Sequence, residues 1–471
     1  MVKITDLNLQ ALQPLLTPLL APRQLASLTI NGTGAVAVAS STSATLKLDT
    51  DLARLQFTDP ALNSPLPPQD LKLQVEAAQL RPRQYEVRRL ALAFPHTAKA
   101  TNLIQMEAKL DLAASNPTPS QCSISAASLD LGPLYDALRT RLAPSQSPVA
   151  PLPTATETGT EPNARPLPIQ SLTAEVQIGT LYLHDLAASN VVATAKLHQG
   201  LLKLDPFSLI LNGAPVTAAA AWDVGRPNGA YEASLKAEGL PLLPLTSSFT
   251  TNATARLRGN LHAALQLKGA GTTGASLQKN LTGEFDLGST NLNLAVANVR
   301  NPLLKTVVNV ILSIPDLVRR PDTVLGSLLD TLKSSGGKTS GGWVNELTQA
   351  PIDTIQLRAV AGAGRIDVQR GFVQSAAFQA EARGPITLAP VLTNSTLQLP
   401  VAVFLRQPLA AKAGLAPASA SNTNAYARLP DFLAVKGTVG DPKTEINKTA
   451  LAALTLKAGA NLLDLLKPKS P

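Results

Sequence analysis

One phrase recurs along this chain and limits what it can fold into: a short run of alternating apolar and polar residues, closed by a glycine or a turn, then another such run. Leu257-Arg258-Gly259-Asn260-Leu261-His262-Ala263-Ala264-Leu265-Gln266-Leu267-Lys268-Gly269 is one instance, followed by Gly271 to Gly274. Asn280-Leu281-Thr282-Gly283-Glu284-Phe285-Asp286-Leu287 and Phe432-Leu433-Ala434-Val435-Lys436-Gly437-Thr438-Val439-Gly440-Asp441-Pro442-Lys443 are two more. Alternation with a period of two places every second side chain on one face of a strand. No polar cluster interrupts these runs. A sheet that keeps adding strands without closing a pocket points to a scaffold or a groove, not to chemistry.

The same grammar marks further strands at Leu28 to Asp51 (two strands), Leu71–Ala77, Tyr85–Phe94 and Asn102–Ala113. It resumes at Ser171–Ile178, Gly179–Leu186, Ala188–Gln199, Leu201–Leu204, Phe207–Asn212, Ala214–Val224 and Gly229–Ala237. It returns at Ile352–Ala361, Gly364–Gln369, Phe372–Ala382, Gly384–Leu388 and Thr396–Leu405, with Phe432–Val439 as the last strand. Gly200 and Asn212-Gly213 are hairpin signals, so the pairing reads as an antiparallel meander. Helices are expected at 129–142, in two apolar segments near 299–333 broken around Pro315 to Pro321, and at 450–466. The first Leu-rich stretch, Leu12 to Leu20, is broken by Pro14 and Pro18 into a short helix at most.

Three regions follow: 1–142, a Pro-rich linker at 143–168, and 169–471. The linker holds Pro144, Pro148, Pro151, Pro153, Pro162, Pro166 and Pro168 among Ser, Thr and Glu. It cannot bury apolar area and is expected to be extended or disordered.

Apolar residues make up 45% of the chain but aromatics only 3%, so the buried faces must be aliphatic. The formal charge of +9 describes a basic soluble surface with, at most, weak attraction to anionic headgroups. Nucleic-acid binding is not expected, because no Lys/Arg block is interleaved with aromatics. Cys122 is the only cysteine, so no internal disulfide can form. His96, His184, His198 and His262 are scattered singly and read as solvated strand residues, so no metal site and no cofactor are expected. Gly336-Gly337-Lys338-Thr339 imitates a phosphate-binding loop, but Leu332 stands where the motif needs its first glycine. Asp316 and Asp322 read as helix caps. With no nucleophile–base ordering and no paired carboxylates, an enzyme is not expected. No stretch approaches ~18 consecutive apolar residues, the length of a membrane-spanning helix. Met1 to Asp6 lacks the apolar core of a signal peptide.

The phrase G-x-L-x-x-x-L-x-L-x-G-x-G at Gly259 to Gly271, with N-L-x-G-x-F-x-L at Asn280 to Leu287, resembles the C-terminal region of the AsmA family. So does the closing F-L-x-V-x-G-T-V-G-D-P-K at Phe432 to Lys443. Gly200 to Leu204, Leu211 to Val216 and Gly239 to Leu245 resemble the repeat that precedes it. The resemblance covers 170–466 well and 1–142 loosely. It implies an envelope protein of bacteria with two membranes, related to TamB-like proteins. The implied fold is mainly β with a few helices: a long curved antiparallel sheet forming an open apolar groove, usually behind an N-terminal transmembrane helix. The implied role is moving phospholipid between the membranes, or outer-membrane assembly. Localisation would be periplasmic, at the inner membrane if an anchor precedes this chain.

On this reading the partners are phospholipid acyl chains and membrane surfaces, and protein partners are unknown. About 20 strands spaced ~4.8 Å apart would reach roughly 90 Å. Candidate groove residues are those in phase on alternating strands: Val216, Ala218, Ala220 and Trp222; Leu292, Leu294 and Val296; Ile355 and Leu357; Leu397, Leu399, Val401, Val403 and Leu405. The residues themselves leave two arrangements open. These faces line a trough, or they pack against the helices at 303–332 as an ordinary core. A β-rich structural or adhesive module would share much of the composition.

Overall fold

Period-two alternation yields strands almost wherever the chain is described. The computed structural model describes residues 1–8, 24–40, 42–58, 69–112, 118–139, 161, 169–249, 257–295, 350–412, 415, 425–447 and 449–450. The protein is mainly β, with four helices among these residues, and its sheet is open. Contacts divide it into two compact units. The first comprises Met1–Thr158 and Pro162–Leu235; the second comprises Gly159–Glu161 and Lys236–Pro471.

The first unit carries β1 (Val2–Asn8), β2 (Gln24–Ser40), β3 (Ser43–Thr58), β4 (Gln69–Arg81), β5 (Gln84–Ala93), β6 (Leu103–Asp111), β7 (Ser120–Asp130), α1 (Gly132–Arg139), β8 (Ser171–Leu183), β9 (Leu186–His198), β10 (Leu201–Leu211) and β11 (Ala214–Asp223). Each strand pairs with the next, antiparallel at every step but one. Strands β7 and β8 run parallel, so the sheet is mixed and not the purely antiparallel one expected from sequence. The physical reason is the long connection between Asp130 and Ser171, which lets the chain cross back before pairing again. The Gln199-Gly200 turn (φ 48° and 85°) and the Asn212-Gly213 turn (φ 48° and 86°) have both central residues left-handed. That is the primed geometry which joins twisted strands without splaying them.

In the second unit lie α2 (Leu242–Phe249), β13 (Asn260–Ala270), α3 (Gly274–Asn280), β14 (Thr282–Thr290), β15 (Ile352–Gly362), β16 (Arg365–Ser375), β17 (Phe378–Thr387), β18 (Thr396–Leu397), β19 (Leu399–Arg406), α4 (Gln407–Lys412), β20 (Tyr426–Arg428), β21 (Leu433–Gly437) and β22 (Pro442–Ile446). Strand β12 (Ala230–Pro241) precedes them. From β13 to β17 each strand pairs antiparallel with the next; β17 then pairs β18 and β19, β19 pairs β20 and β21, and β21 pairs β22. A packed cluster of buried side chains forms here, including Ile352, Phe378, Val403, Leu405, Leu409 and Phe432.

Several expected boundaries shift. Leu201–Leu204 and Phe207–Asn212 are one strand, and so are Gly364–Gln369 and the start of Phe372–Ala382. The pairing register slips at Leu204/Phe207 and at Val368/Gly371, so the expected breaks are bulges. Gly179 is not a turn but mid-strand, where a Cβ would come 2.4 Å from the carbonyl oxygen of Ala127 on β7. Val2–Asn8, β7, β20 and β22 are strands that alternation in small or polar residues did not reveal, and Leu129 and Asp130 close β7 before α1 begins. The linker except Glu161, both helices near 299–333, the 334–342 loop and all but the first residue of 450–466 lie outside the described residues.

Candidate functional site

Register connects one apolar row across ten strands of the first unit. It runs Gly34, Leu48, Val75, Leu90, Met106, Ile124, Val176, Ala193, Phe207 and Ala218, each opposite the next on the neighbouring strand. A second row runs parallel to it: Val36, Leu46, Ala77, Val87, Ala108, Cys122, Ala174, Ala195, Leu204 and Ala220. One residue beyond the first row, on the opposite face, lie Asp49, Gln74, Ala91, Gln105, Ser125, Gln177, Val192, Ser208 and Thr217. One face is therefore aliphatic and the other predominantly polar. Ion pairs such as Lys47–Glu76 (2.7 Å) decorate the polar side, and the Lys47 ammonium beside Glu76 lowers that carboxyl's pKa.

The bulges maintain this sorting. Val87 and Leu90 are three residues apart, as are Leu204 and Phe207, and strict alternation would place each pair on opposite faces. The extra residue at Arg88-Arg89 and at Asp205-Pro206 returns both members to the apolar side.

The large side chains of the first row, Leu48, Val75, Leu90, Met106, Ile124, Val176 and Phe207, are all half-buried, and none is fully buried. The buried hydrophobics of this unit are mostly alanines, and the packed cluster found in the second unit includes none of them. A half-wet aliphatic face with no second layer of buried side chains among the described residues is unusual for a domain core, which normally closes against another element.

The sequence-expected residues divide by environment. Val216, Ala218, Ala220 and Trp222 share the apolar face of β11; the first three are half-buried and Trp222 is 44% exposed. In the second unit Leu357 is exposed and pairs with the exposed Leu287, while Ile355 and Leu294 are half-buried and pack on the cluster. Leu292, Leu397, Leu399, Val401, Val403 and Leu405 are buried within that cluster, against Leu409, Leu429, Phe432 and Leu433. Val296 lies outside the described residues. Most of the first-unit row was not singled out from sequence. Its signal was present as alternation in β3 to β6, but the phase across strands depends on bulges.

Polar groups gather separately on the second unit's sheet. His262, Asp286, Gln356, Arg358 and Arg370 line a shallow cavity of about 260 Å³. Arg358 is held by Asp286 through two hydrogen bonds, which raises its already high pKa. The His262 ring lies against Gly288, where a Cβ would collide with it. Arg370 stacks on Phe372 at 4.6 Å. His184, expected to be a solvated strand residue, instead sits in the β8–β9 turn and bonds Asp136 at 2.9 Å. The Cys122 thiol faces the apolar row, and burial raises its pKa, so it stays protonated at neutral pH. Among the described residues no group of three His, Cys, Asp or Glu is placed to hold a metal ion. Among those residues, too, no helix is long and apolar enough to cross a membrane, which leaves strand-built spans unaddressed.

No curated protein and no solved structure matches the chain. The family comparison does find a match: residues 150–323 match the AsmA family, a stretch that includes β8 to β11 of the apolar face and β13 and β14 of the second unit.

Proposed function

We propose that this chain is a non-enzymatic envelope protein whose first-unit apolar face shields phospholipid acyl chains, for lipid transfer or outer-membrane assembly. One observation carries the reading: ten strands in register present aliphatic side chains that remain half-exposed, with no buried cluster behind them among the described residues. Water contact is costly for such a surface and for a lipid tail alike. An acyl chain gains about 0.8 kcal/mol per CH₂ removed from water, so a 16-carbon chain faces a barrier on the order of 12 kcal/mol without shielding. Many similar shallow contacts suit sliding, whereas one deep pocket would trap the lipid. The AsmA-family match supports an envelope role.

Native mass spectrometry with lipid extraction, on protein purified from a bacterial envelope, tests this. Stoichiometric phospholipid is expected on the wild type. Ala218→Glu places a carboxylate in the apolar row and is expected to abolish lipid capture while the β-sheet circular dichroism persists. A clean lipid-free mass, with no uptake from vesicles, would refute the reading and favour a structural or adhesive module.

A further inference from the structure

We propose that the neighbouring tips of the β2–β3 and β4–β5 hairpins form a docking surface for an anionic phospholipid leaflet. The two tips lie at the same strand end of the first unit, because β3 pairs with both β2 and β4. Val38, Ala44, Gln79 and Tyr85 form the last register row that crosses all four strands, on the apolar face already described. Here that face runs out into solvent: Val38 is 70% exposed, Val36 65% and Tyr85 40%. Single exposed aliphatic residues are ordinary on protein surfaces, but a contiguous group at one end of a sheet is not.

The charge at the same place fixes the kind of partner. The β4–β5 turn is Arg81-Pro82-Arg83-Gln84, and both arginines are exposed. Neither has an acidic partner among the described residues. The nearby Glu86 is engaged by Arg88 at 3.0 Å and Lys109 at 3.8 Å. Asp111 is bonded to the side-chain amide of Gln84 at 3.0 Å. Two exposed guanidinium groups with no acidic partner among the described residues, near exposed valines and a tyrosine, suit the boundary between headgroups and acyl chains. Arginine pairs with phosphate, the aliphatic side chains enter the acyl layer, and the tyrosine ring bridges the two. A protein interface would bury the valines equally well but would not call for unpaired cations around them.

This surface is the hairpin-tip end of the same face at β2 to β5, far along the strand order from Ala218 on β11, so the two roles can be tested apart. The full chain is mixed with vesicles of phosphatidylethanolamine and phosphatidylglycerol, or of phosphatidylcholine alone, and sedimented at low and high salt. Binding is expected to the anionic vesicles and to weaken with salt. The double variant Arg81→Gln/Arg83→Gln is expected to bind about thirtyfold more weakly, from the usual contribution of each juxtamembrane cation. Val36→Thr/Val38→Thr retains the β-branched shape and is expected to weaken binding severalfold without unfolding the hairpin. Lys99→Gln, at the opposite strand end, is expected to change nothing. Ala218→Glu is expected to lose lipid uptake yet retain vesicle binding. Unchanged vesicle binding in both tip variants would overturn the proposal, as would equal, salt-insensitive binding to phosphatidylcholine.

Discussion

The same substitution made once in each unit separates an open apolar face from a packed core. Phe378 is 0% exposed and pairs with Leu405 inside the buried cluster. Phe207 is half-buried and lies between Ala193 and Ala218, so small residues flank its ring on both neighbouring strands. Phe378→Ala leaves an enclosed void and should cost about 3–5 kcal/mol. At Phe207 solvent can fill the space, so only the partial transfer of the ring is lost, about 1–2 kcal/mol. The two units need not unfold together, so a single melting curve is a poor readout. Hydrogen exchange followed by mass spectrometry gives opening free energies separately for peptides of β10 and β17. If Phe207→Ala costs as much as Phe378→Ala, the first unit's face is a closed core and the shielding role fails.

Other expectations follow from individual sites. Val401 is 2% exposed, so Val401→Glu buries a carboxylate and should unfold the second unit, seen as loss of exchange protection in β19; a folded, protected variant would contradict its core position. Gly179→Val drives a Cβ into the Ala127 carbonyl and should destabilise the β7–β8 pair by about 1–3 kcal/mol, whereas Gly34→Ala meets its nearest atom at 3.8 Å and should be benign; exchange rates in the two strands check both. The Glu161 carboxylate is held at about 2, well below 4.5, by the Ser276 hydroxyl and by the N–H groups of Thr272 and Thr273. Because its folded-state pKa is depressed, its stabilising effect is present above about 4.5 and lost as pH falls toward 2. Carboxyl-carbon NMR should show that low midpoint in the wild type, and an ordinary glutamate midpoint would mean the contact does not form.

Much of the strand inventory was legible because alternation is a local property. The Asn212-Gly213 turn was equally readable, since few residue pairs accept two successive left-handed conformations. Bulges were not readable as such: at Asp205-Pro206 the break in alternation looks like a strand end, and only pairing with β9 and β11 shows the strand continuing. Strand β7 was hidden because its alternation is written in Ser, Ala and Cys, which barely differ in hydropathy. The expected groove residues on β11 share one face as anticipated. The run from Leu397 to Leu405 carries the same alternation yet is buried under α4 and the β20–β21 region.

That last contrast divides what sequence and tertiary structure each determine. Residue type and period set which side chains share a face, because backbone geometry alternates them regardless of surroundings. They also set the aliphatic character of those faces and the positions of the primed turns. Neither period nor composition states what lies opposite an apolar face. The closing of Val401, Val403 and Leu405 into a core, and the half-exposure of Leu48, Leu90 and Phe207, depend on whether a distant segment packs across them. The parallel step from β7 to β8 and the bulge-corrected register are likewise long-range pairings. They are chosen by the burial of whole faces and not by any residue's own preference.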